Sequence, residues 1–224
     1  MKIVAVNTEI NLKNSKVINV AESDFYDLDL NDVDYVLVSG GDGLLRRVIQ
    51  HVIYLGQNKP DFIIDPKGSF NVIAKKHFTP QLSNVLKRIE SGKKLKFKQQ
   101  DVYKLNEHIF LFSAGNLHDA LHIHLSEILR VGILKKGIFK YILSALFVIP
   151  IALITLPFLI FSKKRFFIFA VFKCCNVMNI YTKVRHLKID MKNNYNLMEI
   201  DGDLVIIKNR FVEIDRIGTV NIVV

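Results

Sequence analysis

Residues 35–74 repeat one pattern twice: an apolar run, an immediate glycine turn, then a segment with helical periodicity. Tyr35 to Val38 is a short apolar, β-branched run of the kind that forms a buried strand. Ser39-Gly40-Gly41-Asp42-Gly43 follows at once, and Leu44, Leu45, Val48, Ile49 and Val52 then recur at helical spacing. Three glycines between a strand and a helix let the backbone turn sharply and approach a ligand closely. The first turn of the helix offers free N–H groups and a positive dipole end, which suit phosphate. Asp42 is out of place beside phosphate unless it binds a metal or accepts a proton. An ordinary strand-to-helix turn in which Asp42 caps a helix fits the same residues.

The second half of the pattern is Phe62-Ile63-Ile64 followed by Asp65-Pro66-Lys67-Gly68-Ser69-Phe70-Asn71-Val72-Ile73-Ala74. Two glycine turns after consecutive strands are expected side by side at the carboxyl edge of a parallel sheet, where ligands bind. The pair resembles the hallmark of the diacylglycerol kinase family, which includes sphingosine and ceramide kinases and related bacterial lipid kinases. That hallmark is Gly-Gly-Asp-Gly-Thr, a helix, and then Pro-x-Gly-Thr-x-Asn-x-x-Ala. Here the matching residues are Gly40-Gly41-Asp42-Gly43-Leu44 and Pro66 to Ala74, and Leu44 in place of threonine looks like the sphingosine kinase variant.

The resemblance implies an ATP-dependent lipid kinase, using ATP and Mg2+, that phosphorylates a hydroxyl of a diacylglycerol- or sphingoid-type lipid at a membrane surface. On that reading Asp42 is the catalytic carboxylate. Gly40, Gly41 and Gly43 admit the triphosphate, and Gly68, Ser69 and Asn71 form the facing wall, with Asn71 also fixing its loop. Ser113 to Asp119 resembles a sphingosine kinase pattern in which the aspartate contacts the lipid head, which makes Asp119 the substrate-binding candidate. Ile200-Asp201-Gly202-Asp203 resembles the family's Asp-Gly-Glu, so Asp201 and Asp203 are expected to approach the nucleotide. The residues alone also allow an Asp-Gly hairpin turn that needs no ligand. Arg46 and Arg47 stand where the family usually has an acidic residue at the second position. They read as a basic exposed face or as cations assisting phosphate. Two alternatives stay open: a catalytically impaired relative that binds lipid or nucleotide, and an NAD kinase-like enzyme, since that family also uses Gly-Gly-Asp-Gly.

The formal net charge is +10, with a pI near 9.5, which favours anionic partners such as phosphorylated ligands or an acidic membrane surface. No nucleic-acid motif accompanies that charge. Adjacent Cys174 and Cys175 are poorly placed to form a disulfide framework, and the first residues carry too short an apolar run for a signal peptide, so the cytoplasm is the expected compartment. Residues 141–162 contain no charged side chain and are flanked by Lys135, Lys136 and Lys140 on one side and Lys163, Lys164 and Arg165 on the other. Pro150 and Pro157 interrupt the stretch, and two basic flanks favour an element lying in or dipping into the cytoplasmic leaflet over a span.

The expected fold is an α/β N-terminal nucleotide-binding domain with a Rossmann-like parallel sheet, residues 1–95. A β-rich, antiparallel, sandwich-like domain over residues 96–224 follows, carrying the hydrophobic helical element 141–162. Lys2 to Val6 is the expected first strand, and Asn7 the start of a nucleotide-side turn. Residues 22–34 read as an acidic, solvated connection, and residues 78–94 as a helix ending near Gly92. His118, His122 and His124 are spaced for metal ligation without an acidic or cysteine partner in view, so no metal ligands are assigned.

Overall fold

The structure, a computed structural model, describes residues 1–56, 60–116, 139–162, 164–170, 179–182 and 184–224. Its contacts divide the chain into two units: residues 1–102 with 218–224, and residues 103–217.

The first unit is built on parallel strands β1 (Lys2–Val6), β2 (Lys16–Val20), β3 (Tyr35–Gly40) and β4 (Asp61–Pro66), in the order β2-β1-β3-β4. Ile3 to Val6 and Val36 to Val38 are almost entirely withdrawn from solvent, as an apolar run in a parallel sheet covered on both faces must be. Helix α1 (Glu22–Phe25) precedes β3, and α2 (Asp42–Leu55) connects β3 to β4. Leu45, Val48, Ile49 and Val52 form the buried stripe of α2, each burial worth about 1.5–3 kcal/mol. The helix ends where Gly56 takes a left-handed conformation (φ +63°) and donates its N–H to the Ile53 carbonyl. Helices α3 (Val72–His77) and α4 (Leu82–Glu90) follow β4, and Gly92 (φ +67°) lies just beyond α4, close to the helix end expected from sequence.

The acidic stretch 22–34 is more than a solvated connection. It contains α1, and Phe25, Leu30 and Val33 are buried. Strand β2 was not expected from sequence. It has the partly exposed pattern of an edge strand, with no continuous apolar run to betray it.

The second unit is strand-rich. Its five-stranded sheet runs β12 (Asp203–Ile207), β11 (Asn196–Ile200), β7 (Ser113–Gly115), β8 (Phe167–Phe169), β9 (Ile180–Tyr181). Pairing there is antiparallel except between β8 and β9. The hairpin of β5 (Phe97–Leu105) and β6 (His108–Phe110) turns at Asn106, where sequence placed a turn, and β10 (His186–Asp190) pairs antiparallel with β13 (Phe211–Val223). The chain's last strand has a double allegiance. Residues 218–224 belong to the first unit, where Ile222 pairs in parallel with Phe62 of β4. Tyr103, Phe110, Phe166, Met198 and Ile214 are among the side chains closing the core of the second unit.

The uncharged stretch forms helix α5 (Phe139–Phe161), 23 residues long. Ser144 and Val148, one helical turn apart, are buried. Phe139, Ile142, Leu146, Phe147, Ile149, Ile151, Leu153 and Ile154 are exposed, the extreme being Ile154 at 74 %. Among the described residues no helix is long and apolar enough to cross a membrane, and for α5 side chains are described over only part of its length.

Candidate functional site

The strand order of the first unit fixes where a site can form. From β1 the chain moves to β2 on one side, while β3 lies on the other, so the carboxyl ends of β1 and β3 flank the topological switch point of the sheet. Asn7 stands at the end of β1, Gly40 to Gly43 at the end of β3, and Pro66 to Asn71 at the end of β4. Asn7 holds a left-handed conformation (φ +58°), donates its N–H to the Val20 carbonyl, and accepts the Glu22 N–H at 2.9 Å. It thereby fixes the start of α1.

The two glycine turns touch. The Lys67 N–H donates to the Gly40 carbonyl at 2.9 Å, and a Cβ built on Gly68 would lie 2.5 Å from the Gly41 Cα and 2.8 Å from the Asn71 Oδ1. Only glycines permit that approach, because the obstacle is backbone that cannot rotate away. Asn71 closes the second turn on itself: its Oδ1 accepts the Gly68 N–H at 2.9 Å and its Nδ2 donates to the Gly68 carbonyl at 2.7 Å. It also carries a left-handed backbone (φ +49°), which Asn tolerates better than most residues. Gly68→Ala should therefore lower stability by about 1–3 kcal/mol in urea unfolding. Gly41→Ala should cost less, since its Cβ would meet the Gly68 Cα at 3.2 Å.

Asp42 is the first residue of α2, yet its carboxylate serves a different helix. Oδ2 accepts the Val72 N–H at 2.7 Å and Oδ1 the Ile73 N–H at 3.1 Å, so it caps the start of α3 from across the two turns. The N-cap of α3, Asn71, makes no such bond itself, and neither does Gly41 at the start of α2. Burial pushes the Asp42 carboxyl above the ordinary carboxylate range, outweighing the two amides and the charge of Lys75, which act in the opposite direction. A buried carboxylate of raised affinity for protons suits a base, and a carboxylate retains lone pairs after accepting two amides.

Sequence reasoning passed over Ser39, Asp65 and Lys67. Ser39 and Asp65 are direct partners across β3 and β4, and the Ser39 Oγ donates to the Asp65 Oδ2 at 2.7 Å. Lys67 Nζ lies 3.5 Å from the same oxygen. Part of the signal was present: Ser39 and Asp65 stand at equivalent places of the two repeats, each next to last in its strand. Arg47, offered by sequence as a cation for phosphate, is engaged instead by Glu22 at 2.7 and 3.2 Å, and Arg46 is buried rather than part of an exposed face.

The remaining expected site residues lie in the second unit or outside the description. Asp201 and Gly202 form the two-residue turn between β11 and β12, both with positive φ (+49° and +88°), the geometry of a type I′ hairpin. The Asp201 carboxylate is buried and accepts the N–H groups of Leu111, Phe112 and Ser113 at 2.7–2.9 Å. Glu199 beside it accepts the Ser113 hydroxyl at 2.9 Å and the Gly202 N–H. These bonds make Asp201 a latch inside the second unit. Asp203 opens β12 and is half-buried. Asp119, together with His118, His122 and His124, lies outside the described residues. Among the described residues no group of three His, Cys, Asp or Glu side chains is gathered to hold a metal ion. Magnesium arriving with a nucleotide needs only one or two carboxylates, because phosphate oxygens supply the rest of its shell.

Residues 2–105 match the family model described as the diacylglycerol kinase catalytic domain. No curated protein matches the chain. Among solved structures, a diacylglycerol kinase from Bacillus anthracis str. Sterne is 18% identical with a TM-score of 0.41, over 58% of this chain and 54% of its own. A putative diacylglycerol kinase from the same organism is 17% identical with a TM-score of 0.42, over 58% and 56%. An NAD kinase from Archaeoglobus fulgidus, solved in complex with ATP, is 14% identical with a TM-score of 0.34, over 51% and 47%. The chain spans about half the length of these solved structures.

Proposed function

From the match of residues 2–105 to the diacylglycerol kinase catalytic domain model, we propose that the chain transfers the terminal phosphoryl group of ATP to a lipid hydroxyl at the cytoplasmic face of a membrane. The observation that carries the proposal is the contact between the two glycine turns, with the Asp42 carboxylate bridging from one to the helix behind the other. Phosphoryl transfer asks a protein chiefly for positioning and charge stabilisation. Gly40, Gly41 and Gly43 lead into the start of α2, which has no side-chain cap and whose first N–H groups and positive dipole end would receive an anion. Gly68 and Ser69, held by Asn71, form the opposing wall. Magnesium bound to the nucleotide would neutralise phosphate charge. Asp42 would accept the proton of the lipid hydroxyl, the hydroxyl oxygen would bond to the transferred phosphorus, and ADP would leave. Asp201 is left out of the site because its carboxylate is committed to three amides.

A raised ionisation at Asp42 gives the reaction a signature. Transfer should climb with pH through an apparent ionisation above the ordinary carboxylate range, and that limb should vanish in Asp42→Asn. The sign for stability is opposite. The folded chain holds this proton where the unfolded chain has lost it, so the contribution is complete below the ordinary carboxylate range and fades as pH rises through the raised ionisation.

Exposed apolar side chains over α5, with Lys164 and Arg165 beyond its end, support seating of that helix in the headgroup and acyl boundary of an anionic leaflet. Replacing Leu146, Phe147, Leu153 and Ile154 with serine should release the chain from phosphatidylglycerol vesicles by more than tenfold in sedimentation. A second reading, binding without transfer, is favoured by the commitment of both Asp42 oxygens to the α3 amides. Labelled ATP offered with diacylglycerol, sphingosine, ceramide and NAD side by side tests all of these. Label in a lipid supports the proposal, label in NAD moves the chain to the NAD kinase-like class, and ATP binding with no transfer leaves the impaired relative.

A further inference from the structure

We propose that the first unit carries its own membrane-docking surface, made of a cationic groove along the outer face of α4 and the exposed Phe78 ring just beyond α3, whose occupant is the anionic headgroup layer of a bilayer. The inference rests on the membrane-surface reading above but uses none of the residues of α5.

Charge is the first observation. Between residues 75 and 98 the sequence has eight Lys and Arg and a single acidic residue, Glu90, so this stretch holds most of the chain's net charge of +10. Lys87, Arg88 and Lys96 line a groove of about 580 Å³ together with Pro80, Asn84 and Val224, and among the described residues no carboxylate pairs with these three cations. Crowded cations without carboxylate partners are stabilised by a surface of opposite sign.

Phe78 is the second and independent observation. It follows α3 directly and holds a left-handed backbone (φ +55°, ψ +50°), a position helices ordinarily give to Gly or Asn. A bulky residue there is strained, and this one gains nothing from burial, since its side chain is 83 % exposed. Neither the backbone nor the core of this unit asks for an aromatic ring at 78. Lys98 Nζ sits 5.8 Å from the centre of the Phe78 ring, which ties the ring to the start of β5, and Lys98 shares its strand face with Lys96 of the groove. A ring that enters the acyl boundary beside lysines that stay among phosphates fits a lipid interface. A soluble polyanion would use the cations and leave the Phe78 ring in water.

The chain has no tryptophan, so Phe78→Trp is a single reporter at this spot. With phosphatidylglycerol vesicles its emission should shift to the blue and be quenched by brominated acyl chains, while phosphatidylcholine vesicles leave it unchanged. Phe78→Asn relieves the backbone strain, so it should fold at least as well as the parent and yet bind phosphatidylglycerol vesicles about tenfold more weakly. Substituting Gln for Lys87, Arg88 and Lys96 together should weaken binding about a hundredfold. An unshifted reporter, or vesicle binding by Phe78→Asn equal to that of the parent, overturns the proposal. So does loss of heparin binding in the triple Gln variant with vesicle binding intact. Transfer to a short-chain lipid in detergent micelles separates this from the kinase reading: Phe78→Asn should leave it unchanged, and absence of transfer by the parent itself counts against the kinase alone.

Discussion

Asp42→Asn is expected to lower phosphoryl transfer by at least about a hundredfold, the range in which a positioned base contributes. The structure sharpens what must be measured beside it, because the carboxylate has two duties. It caps α3 through Val72 and Ile73, and loss of a cap costs about 1 kcal/mol. Asparagine keeps one acceptor oxygen and turns an NH2 toward the second amide, so a stability loss of about that size is expected in urea unfolding. A transfer loss far beyond what that instability explains assigns the chemistry to Asp42. A variant that is less stable but fully active reduces Asp42 to a cap. Adding the pH profile separates the two duties further, since only a base moves the ascending limb.

Asp201→Ala is expected to cost the second unit about 3 kcal/mol or more. Three backbone amides, of Leu111, Phe112 and Ser113, would be left buried without their acceptor, and each orphaned group costs about 1–3 kcal/mol before relaxation. Gly202→Ala makes a useful companion, because it strains the same turn at φ +88° without removing the carboxylate. Denaturation of both variants checks the ledger. ATP affinity measured where Asp201→Ala is still folded should match the parent, and a specific loss of affinity would return Asp201 to the nucleotide.

How much of this was readable in the residues depends on distance along the chain. Strands β1, β3 and β4 and helix α2 were legible because their patterns are continuous and local, as were both glycine turns and the hairpin at Asn106. Strand β2 was not, since an edge strand with a half-exposed pattern has no strong period. The burial of Phe25, Leu30 and Val33 was hidden by the acidic residues around them. The candidate site follows the same rule. Asn71 closes a turn over three residues and could be foreseen, whereas Asp42 capping a helix 30 positions away could not. Asp201 looked like a ligand because an Asp-Gly turn has the same letters whether its carboxylate faces a nucleotide or three amides about 90 positions back in the chain. The last strand reads as one apolar run, and only the fold reveals that Gly218 to Val224 join β4's unit.

The turns at Gly40–Gly43 and Gly68–Asn71 are proposed to hold the phosphates of a nucleotide between them. An amide NMR titration of the full chain with ATP and magnesium tests it most directly. Saturable shifts are expected at Gly41, Gly43, Gly68 and Ser69 together, and none when adenosine replaces ATP. Saturable binding that leaves these four amides unmoved, or no binding at all, would contradict it.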